Sequence, residues 1–91
     1  TKNFMKECLT YPCGHLFSSQ SFTELMGYGS YSYETQRQFR SKLIKDINKY
    51  FLAYHSLDGV IVRQTAKDDK RFSTYHISDK HYDALKALLT V

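Results

Sequence analysis

The chain has 91 residues, 42% hydrophobic and 24% charged, with 13 Lys and Arg against 9 Asp and Glu for a formal charge of +4 at pH 7. Such a length supports one hydrophobic core, not two, and the composition is that of a folded domain rather than a disordered tail. The apolar runs are a few residues long, far short of the ~20 needed to cross a bilayer, so no membrane partner is expected. Residues 1-91 are therefore read as a single domain. Its opening, Thr1-Lys2-Asn3-Phe4, lacks the charged-then-apolar order of a secretion signal and an initiator Met, as a fragment of a longer protein would. Two cysteines, Cys8 and Cys13, are too few for a disulfide-rich secreted scaffold. They are expected to be free thiols in an intracellular setting, whether a prokaryotic or virus-infected cytoplasm or a nucleus, with a local Cys8–Cys13 disulfide as the alternative.

Phe4, Met5, Cys8 and Leu9 follow helical spacing, which predicts a short amphipathic helix near residues 3 to 10 that stops before Pro12. His15 to Ser18 is long enough only for a strand fragment. Ser21-Phe22-Thr23-Glu24 has the order of a capping box and predicts a second short helix from Ser21, with Phe22, Leu25 and Met26 inward and Gly27 and Gly29 ending it. After a tyrosine-rich turn (Tyr28, Tyr31, Tyr33), Ser32 is placed to cap a third helix with Glu34 in its first turn.

The third helix is expected to be the longest. At ~100° per residue, Phe39, Leu43, Ile44, Ile47, Tyr50, Phe51 and Tyr54 fall within a sector of roughly 140°. Arg37, Gln38, Ser41, Lys42, Lys45, Asn48 and Lys49 fall opposite, with Arg40 a charged intruder on the apolar edge and Leu52 an apolar one on the polar face. Asp58-Gly59 breaks the helix. Val60 to Ala66 and Arg71 to Ser78, separated by Lys67-Asp68-Asp69-Lys70, predict an antiparallel hairpin in which Ser73, Tyr75 and Ile77 share one face. Ser78-Asp79 is expected to cap a closing helix that returns Tyr82, Leu85, Leu88 and Leu89 to the core.

The resulting order, helix, short strand, helix, long helix, hairpin, helix, defines an α+β fold class and resembles the winged-helix family, a helix-turn-helix carrying a β-hairpin wing. The resemblance covers most of the chain and rests on that order, on a short second helix followed by a basic long one, and on the charged hairpin tip. It implies that the third helix enters the major groove of DNA while the hairpin near Lys67 to Arg71 meets the neighbouring backbone or minor groove. The Tyr28 to Ser32 turn is longer than in the simplest helix-turn-helix proteins.

The charge distribution points the same way. Residues 36–72 hold nine basic and four acidic side chains, and the remainder four basic and five acidic. Base edges are read by Arg, Lys, Asn and Gln near the first turns of a helix, where Gln36, Arg37, Gln38 and Ser41 stand. Phosphates are met by cations and hydroxyls that need no directional match to a base, for which Lys42, Lys45, Lys49, Lys67, Lys70, Arg71, Tyr31 and Tyr33 are the candidates. The sequence thus predicts double-stranded DNA as partner. The competing explanation is an ordinary solvated helix face, which usually mixes signs, whereas this one carries no acid between Arg37 and Lys49 except Asp46 at its margin. The alternative function is a protein-interaction module, homodimeric or with another chain, meeting its partner through the closing helix or the tyrosine turn.

Pro12-Cys13-Gly14-His15-Leu16-Phe17 is locally similar to the Pro-Cys-Gly-His segment of RING and U-box domains over about ten residues, with Ser18 and Ser21 where a RING places two cysteines. Tetrahedral zinc needs four N or S ligands, and beyond Cys8, Cys13 and His15 the sequence supplies no further cysteine. This reading ranks third, and no metal or cofactor is expected. His15, His55, His76 and His81 stand at no revealing spacing from an acid or nucleophile, and no phosphate-binding glycine loop, nucleophile elbow or His-Glu-x-x-His occurs. No catalytic residue is assigned, and the chain is expected not to be an enzyme.

Overall fold

A computed structural model describes residues 2–65 and 73–89, the Lys2 side chain excepted. Lys67, Lys70, Arg71 and the rest of the hairpin turn lie outside the described residues. The elements are α1 (Lys2–Cys8), β1 (Phe17–Ser18), α2 (Ser19–Leu25), α3 (Tyr33–His55), β2 (Ile61–Thr65), β3 (Ser73–Ile77) and α4 (Tyr82–Leu89). The α+β class expected from the sequence is thus observed.

The three strands form an antiparallel sheet in the order β1-β3-β2, so the chain's first strand lies beside its last. Phe17 pairs with Tyr75, Ile61 with Ile77 and Arg63 with Tyr75. Side chains alternate across a strand, which puts Ile61, Tyr75 and Ile77 together on the inward face, where all three are buried. The core closes on them with Phe4, Met5, Cys8 and Leu9 of the first helical segment, Phe22 of α2, Ile47 and Phe51 of α3, and Tyr82, Leu85 and Leu89 of α4. Phe22 stacks on Tyr75 with ring centroids 5.0 Å apart, joining α2 to the sheet. The Tyr82 hydroxyl approaches Tyr11 O at 2.6 Å and Leu9 O at 3.2 Å, fastening α4 to the segment after α1.

Local chemistry sets the helix ends. α2 begins earlier than the capping-box order predicts: Ser18, not Ser21, is the N-cap, and its hydroxyl accepts from Ser21 N–H at 3.1 Å. Serines at 18 and 21 both suit a cap, and the pairing of Phe17 and Ser18 with β3 leaves Ser18 at the strand-to-helix junction. Glu24, expected to reach back to Ser21, instead meets Gln20 Nε2 at 3.4 Å. Gly27 follows the Met26 C-cap with φ +87°, a left-handed backbone in which glycine carries no Cβ penalty. Ser32 caps α3 as predicted, accepting from Thr35 N–H at 3.4 Å. Ser78-Asp79 does not cap α4 directly. A turn closed by His81 N–H to Ser78 O intervenes, and Asp79 lies beside the Cys13 thiol at 3.5 Å.

Candidate nucleic-acid interface

α3 is 23 residues long, about 34 Å at 1.5 Å per residue. It rests on the core through Ile47 and Phe51, with Leu43 and Ile44 partly covered. This leaves Arg37, Gln38, Ser41, Lys42, Lys45 and Lys49 exposed together along the outer side of the helix. Among the described residues, no carboxylate lies within ion-pair distance of Lys42, Lys45 or Lys49. Asp46, one turn after Lys42, is exposed too, and the two side chains join Tyr28, Phe39 and Leu43 around a shallow recess without pairing.

The first turns of α3 differ from a bare reading head. Gln36 is half-buried, and its amide nitrogen donates to Tyr31 O at 2.8 Å and Gly29 O at 3.1 Å, fastening the tyrosine turn to the helix. Arg37 Nη2 is 2.7 Å from Glu34 Oε1, one turn back, and both side chains are well exposed. That hydrogen bond and the Glu34 charge hold the Arg37 guanidinium more firmly protonated. An exposed pair of this kind is screened by solvent and is readily exchanged for another acceptor. Tyr33 is 75% exposed at the helix start. Tyr31 is half-exposed and packs its ring edge-on with Tyr28 and Phe39.

Asn48, counted with the polar face in the sequence, is turned toward the sheet. Its Oδ1 accepts from Ile61 N–H at 2.9 Å and its Nδ2 donates to Ile61 O at 3.1 Å. The side chain thus imitates a neighbouring strand at the start of β2 and fixes the hairpin against α3.

Arg40, the intruder of the helical wheel, is half-buried between α2, α3 and β3. Its Nη1 donates to Thr23 Oγ1 at 2.9 Å and its Nε to Tyr75 Oη at 3.2 Å, with the guanidinium carbon 5.8 Å from the Tyr75 ring centre. Arg63, opposite Tyr75 in the ladder, donates from Nε to Ser73 Oγ at 3.2 Å. Sequence reasoning found no role for either arginine. The only trace of one was the position of Arg40 on an otherwise apolar edge.

The apolar stripe is wider than the seam that the core covers. Tyr50 and Tyr54 are exposed, as is Leu88 of α4, which was expected to be inward. Met5, Leu43, Ile47, Tyr50, Phe51 and Leu88 line an open groove of about 650 Å³ with Leu89, His55 and Asp46. α4 spans two turns and packs against α1, and Leu85 and Leu89, four residues apart on one side, are buried while Leu88 falls outside.

The segment similar to RING and U-box domains does not gather its residues into one site. Cys8 is buried in the core, Cys13 is exposed beside Asp79, and His15 stacks on Tyr11. Both cysteines are free thiols. Among the described residues no group of three or more His, Cys, Asp or Glu side chains is arranged to hold a metal ion, and no helix is long and apolar enough to cross a membrane. No known protein family, curated protein or solved structure matches the chain.

Proposed function

We propose that this domain binds double-stranded DNA by laying the basic side of α3 in the major groove of a winged-helix scaffold. The observation that carries the reading is the row of exposed cations at Lys42, Lys45 and Lys49, with no carboxylate in pairing distance among the described residues. The order of elements and the β1-β3-β2 sheet support the scaffold assignment, since they set the hairpin beside a long helix whose outer side is open.

A helix about 10–12 Å across fits a groove ~12 Å wide, so its outer ridge meets base edges and its flanks meet the two backbones. On this reading Gln38 and Ser41 face the bases, Arg37 exchanges Glu34 for a guanine edge, and Lys42, Lys45 and Lys49 neutralise phosphates. Gln36 acts indirectly, because its amide holds the turn that orients the first helical turn. Tyr31 and Tyr33 offer hydroxyls to the backbone at the helix start.

The test is a fluorescence-anisotropy titration of duplex DNA, single-stranded DNA and RNA at several salt concentrations. Three phosphates neutralised by these lysines correspond to a log–log salt slope of about −2.7 for the duplex. Lys45→Glu combined with Lys49→Glu is expected to abolish binding with an unchanged circular dichroism spectrum, because both side chains are exposed. Affinity independent of salt, or undiminished in the double variant, overturns the proposal.

The groove between α3 and α4 favours a second reading, in which the same scaffold meets a partner chain through Leu88, Tyr50 and their neighbours. Its signature is self-association or partner capture that survives nuclease treatment and is lost in Leu88→Asp.

A further inference from the structure

Among the described residues Arg40 has no counter-ion, in a place that has removed part of its water. Its two contacts through nitrogen are to neutral hydroxyls, Thr23 Oγ1 and Tyr75 Oη, and among the described residues no carboxylate is within ion-pair distance. Thr23 is 1% exposed and its own hydroxyl donates to Ser19 O at 2.7 Å, so it is fixed in the acceptor role toward Arg40. Partly burying a charge against neutral hydroxyls and one aromatic ring is costly, and an anion reaching the remaining donors would offset that cost. Nη2 has no partner among the described residues and is not sealed from solvent. Arg63 stands on the same face of the sheet, across the ladder from Tyr75, with Nε anchored on Ser73 Oγ and the rest of its fork exposed.

We infer that Arg40 and Arg63 together form an oxyanion-binding cleft between α3 and the hairpin, and that its ligand is a backbone phosphate of the bound nucleic acid. A guanidinium held at Nε and Nη1 keeps its remaining donors in a fixed direction, so little rotamer freedom is lost when they meet a phosphate oxygen. On the wheel Arg40 stands roughly 160° from Lys42, toward α2 and the sheet, so on this inference the cleft meets a backbone on the hairpin side while the lysine flank meets the other. This inference rests on the proposed duplex binding, and it adds contacts that the lysine row does not supply.

Two measurements separate the inference from the reading beneath it. In the first, the salt dependence of duplex binding is compared for the wild type, Arg40→Gln, Arg40→Lys and Arg63→Gln. Arg40→Gln is expected to weaken binding about tenfold and to lower the magnitude of the slope by about 0.9, the value for one phosphate. Arg40→Lys is expected to keep the slope while losing affinity, since the charge remains and the fork does not. Arg63 is exposed, so Arg63→Gln keeps the fold and reports the cleft even if an Arg40 variant fails to fold.

In the second, the Nε–Hε resonance of Arg40 in the unaltered protein is followed by NMR against inorganic phosphate, with sodium chloride at matched ionic strength as control. A saturable shift with phosphate alone is expected, and in Tyr75→Phe the resonance is expected to broaden through faster exchange with water. Duplex binding with an unchanged slope in Arg40→Gln and Arg63→Gln overturns the cleft and leaves the lysine reading standing. No duplex binding, with a saturable phosphate shift at Arg40, overturns the lysine reading and the assignment of a backbone phosphate as ligand, and leaves only the oxyanion site. Neither signal overturns both.

Discussion

Replacing Asn48 by Ala removes two hydrogen bonds at once and isolates what holds the hairpin to α3. Both bonds go to one residue, Ile61, through its N–H at 2.9 Å and its C=O at 3.1 Å. Ile61 as a whole residue is 4% exposed, so its backbone groups are largely withdrawn from water. A typical hydrogen bond contributes about 0.5–1.5 kcal/mol net, while a buried group left without a partner costs about 1–3 kcal/mol. Two such groups, partly rehydrated by water entering the space left by the amide, give an expected loss of about 2–4 kcal/mol. Against about 5–14 kcal/mol for a 91-residue domain, that is a large share of the total. Urea denaturation followed by circular dichroism measures it as a shift in midpoint, and hydrogen exchange at the Ile61 amide reports the local opening. Asn48→Asp is expected to retain the Ile61 N–H bond and lose the one to Ile61 O, giving an intermediate loss. Lys49→Ala, on the neighbouring exposed position, is expected to stay within about 0.5 kcal/mol of wild type. If Asn48→Ala costs no more than Lys49→Ala and Ile61 exchange is unaltered, the side chain is not what positions the hairpin.

Ser18→Ala is expected to destabilise the protein by about 1 kcal/mol through loss of the α2 cap, and Ser21→Ala by distinctly less, which paired thermal melts will resolve. Cys8 carries a pH signature. Burial, reinforced by the Glu7 charge, pushes its thiol up to about 12 from the ordinary cysteine value of 9.0. The unfolded chain therefore loses this proton at lower pH than the folded one, so the associated stability is intact below pH 9 and declines as pH rises from 9 toward 12. At pH 10 the loss is about 1 kcal/mol. Cys8→Ala is expected to be less stable at pH 7 through its cavity yet to show a shallower decline between pH 8 and 10, and parallel declines in the two proteins would remove this account.

The long helix and the hairpin were legible because each carries a period that the core enforces. Ile47 and Phe51 lie four residues apart on the covered side of α3, and Tyr75 and Ile77 lie two apart on the inward side of β3. The start of α2 was ambiguous because Ser18 and Ser21 both suit an N-cap, and the choice is made by the pairing of Phe17 and Ser18 with residues far along the chain. The place of β1 beside β3 was hidden for the same reason, since two residues carry no pattern of their own. Side-chain type located the exposed basic row but misjudged Gln36 and Asn48, whose amides serve backbone groups instead of solvent. Arg40 was the least legible. Its partners are 17 and 35 residues distant, and nothing in local periodicity brings Thr23 and Tyr75 to it.

The contact of the Tyr82 hydroxyl with Leu9 O and Tyr11 O bears on how the chain is made. α1 has seven residues, too few to persist as a helix in water without a surface to dock on. Part of its docking surface is α4, whose tyrosine lies 73 residues after Leu9. During synthesis the α1 segment therefore emerges well before α4 and must wait unstructured until that helix follows to complete it, so nascent chains halted before Tyr82 should be cut by protease first within the α1 segment.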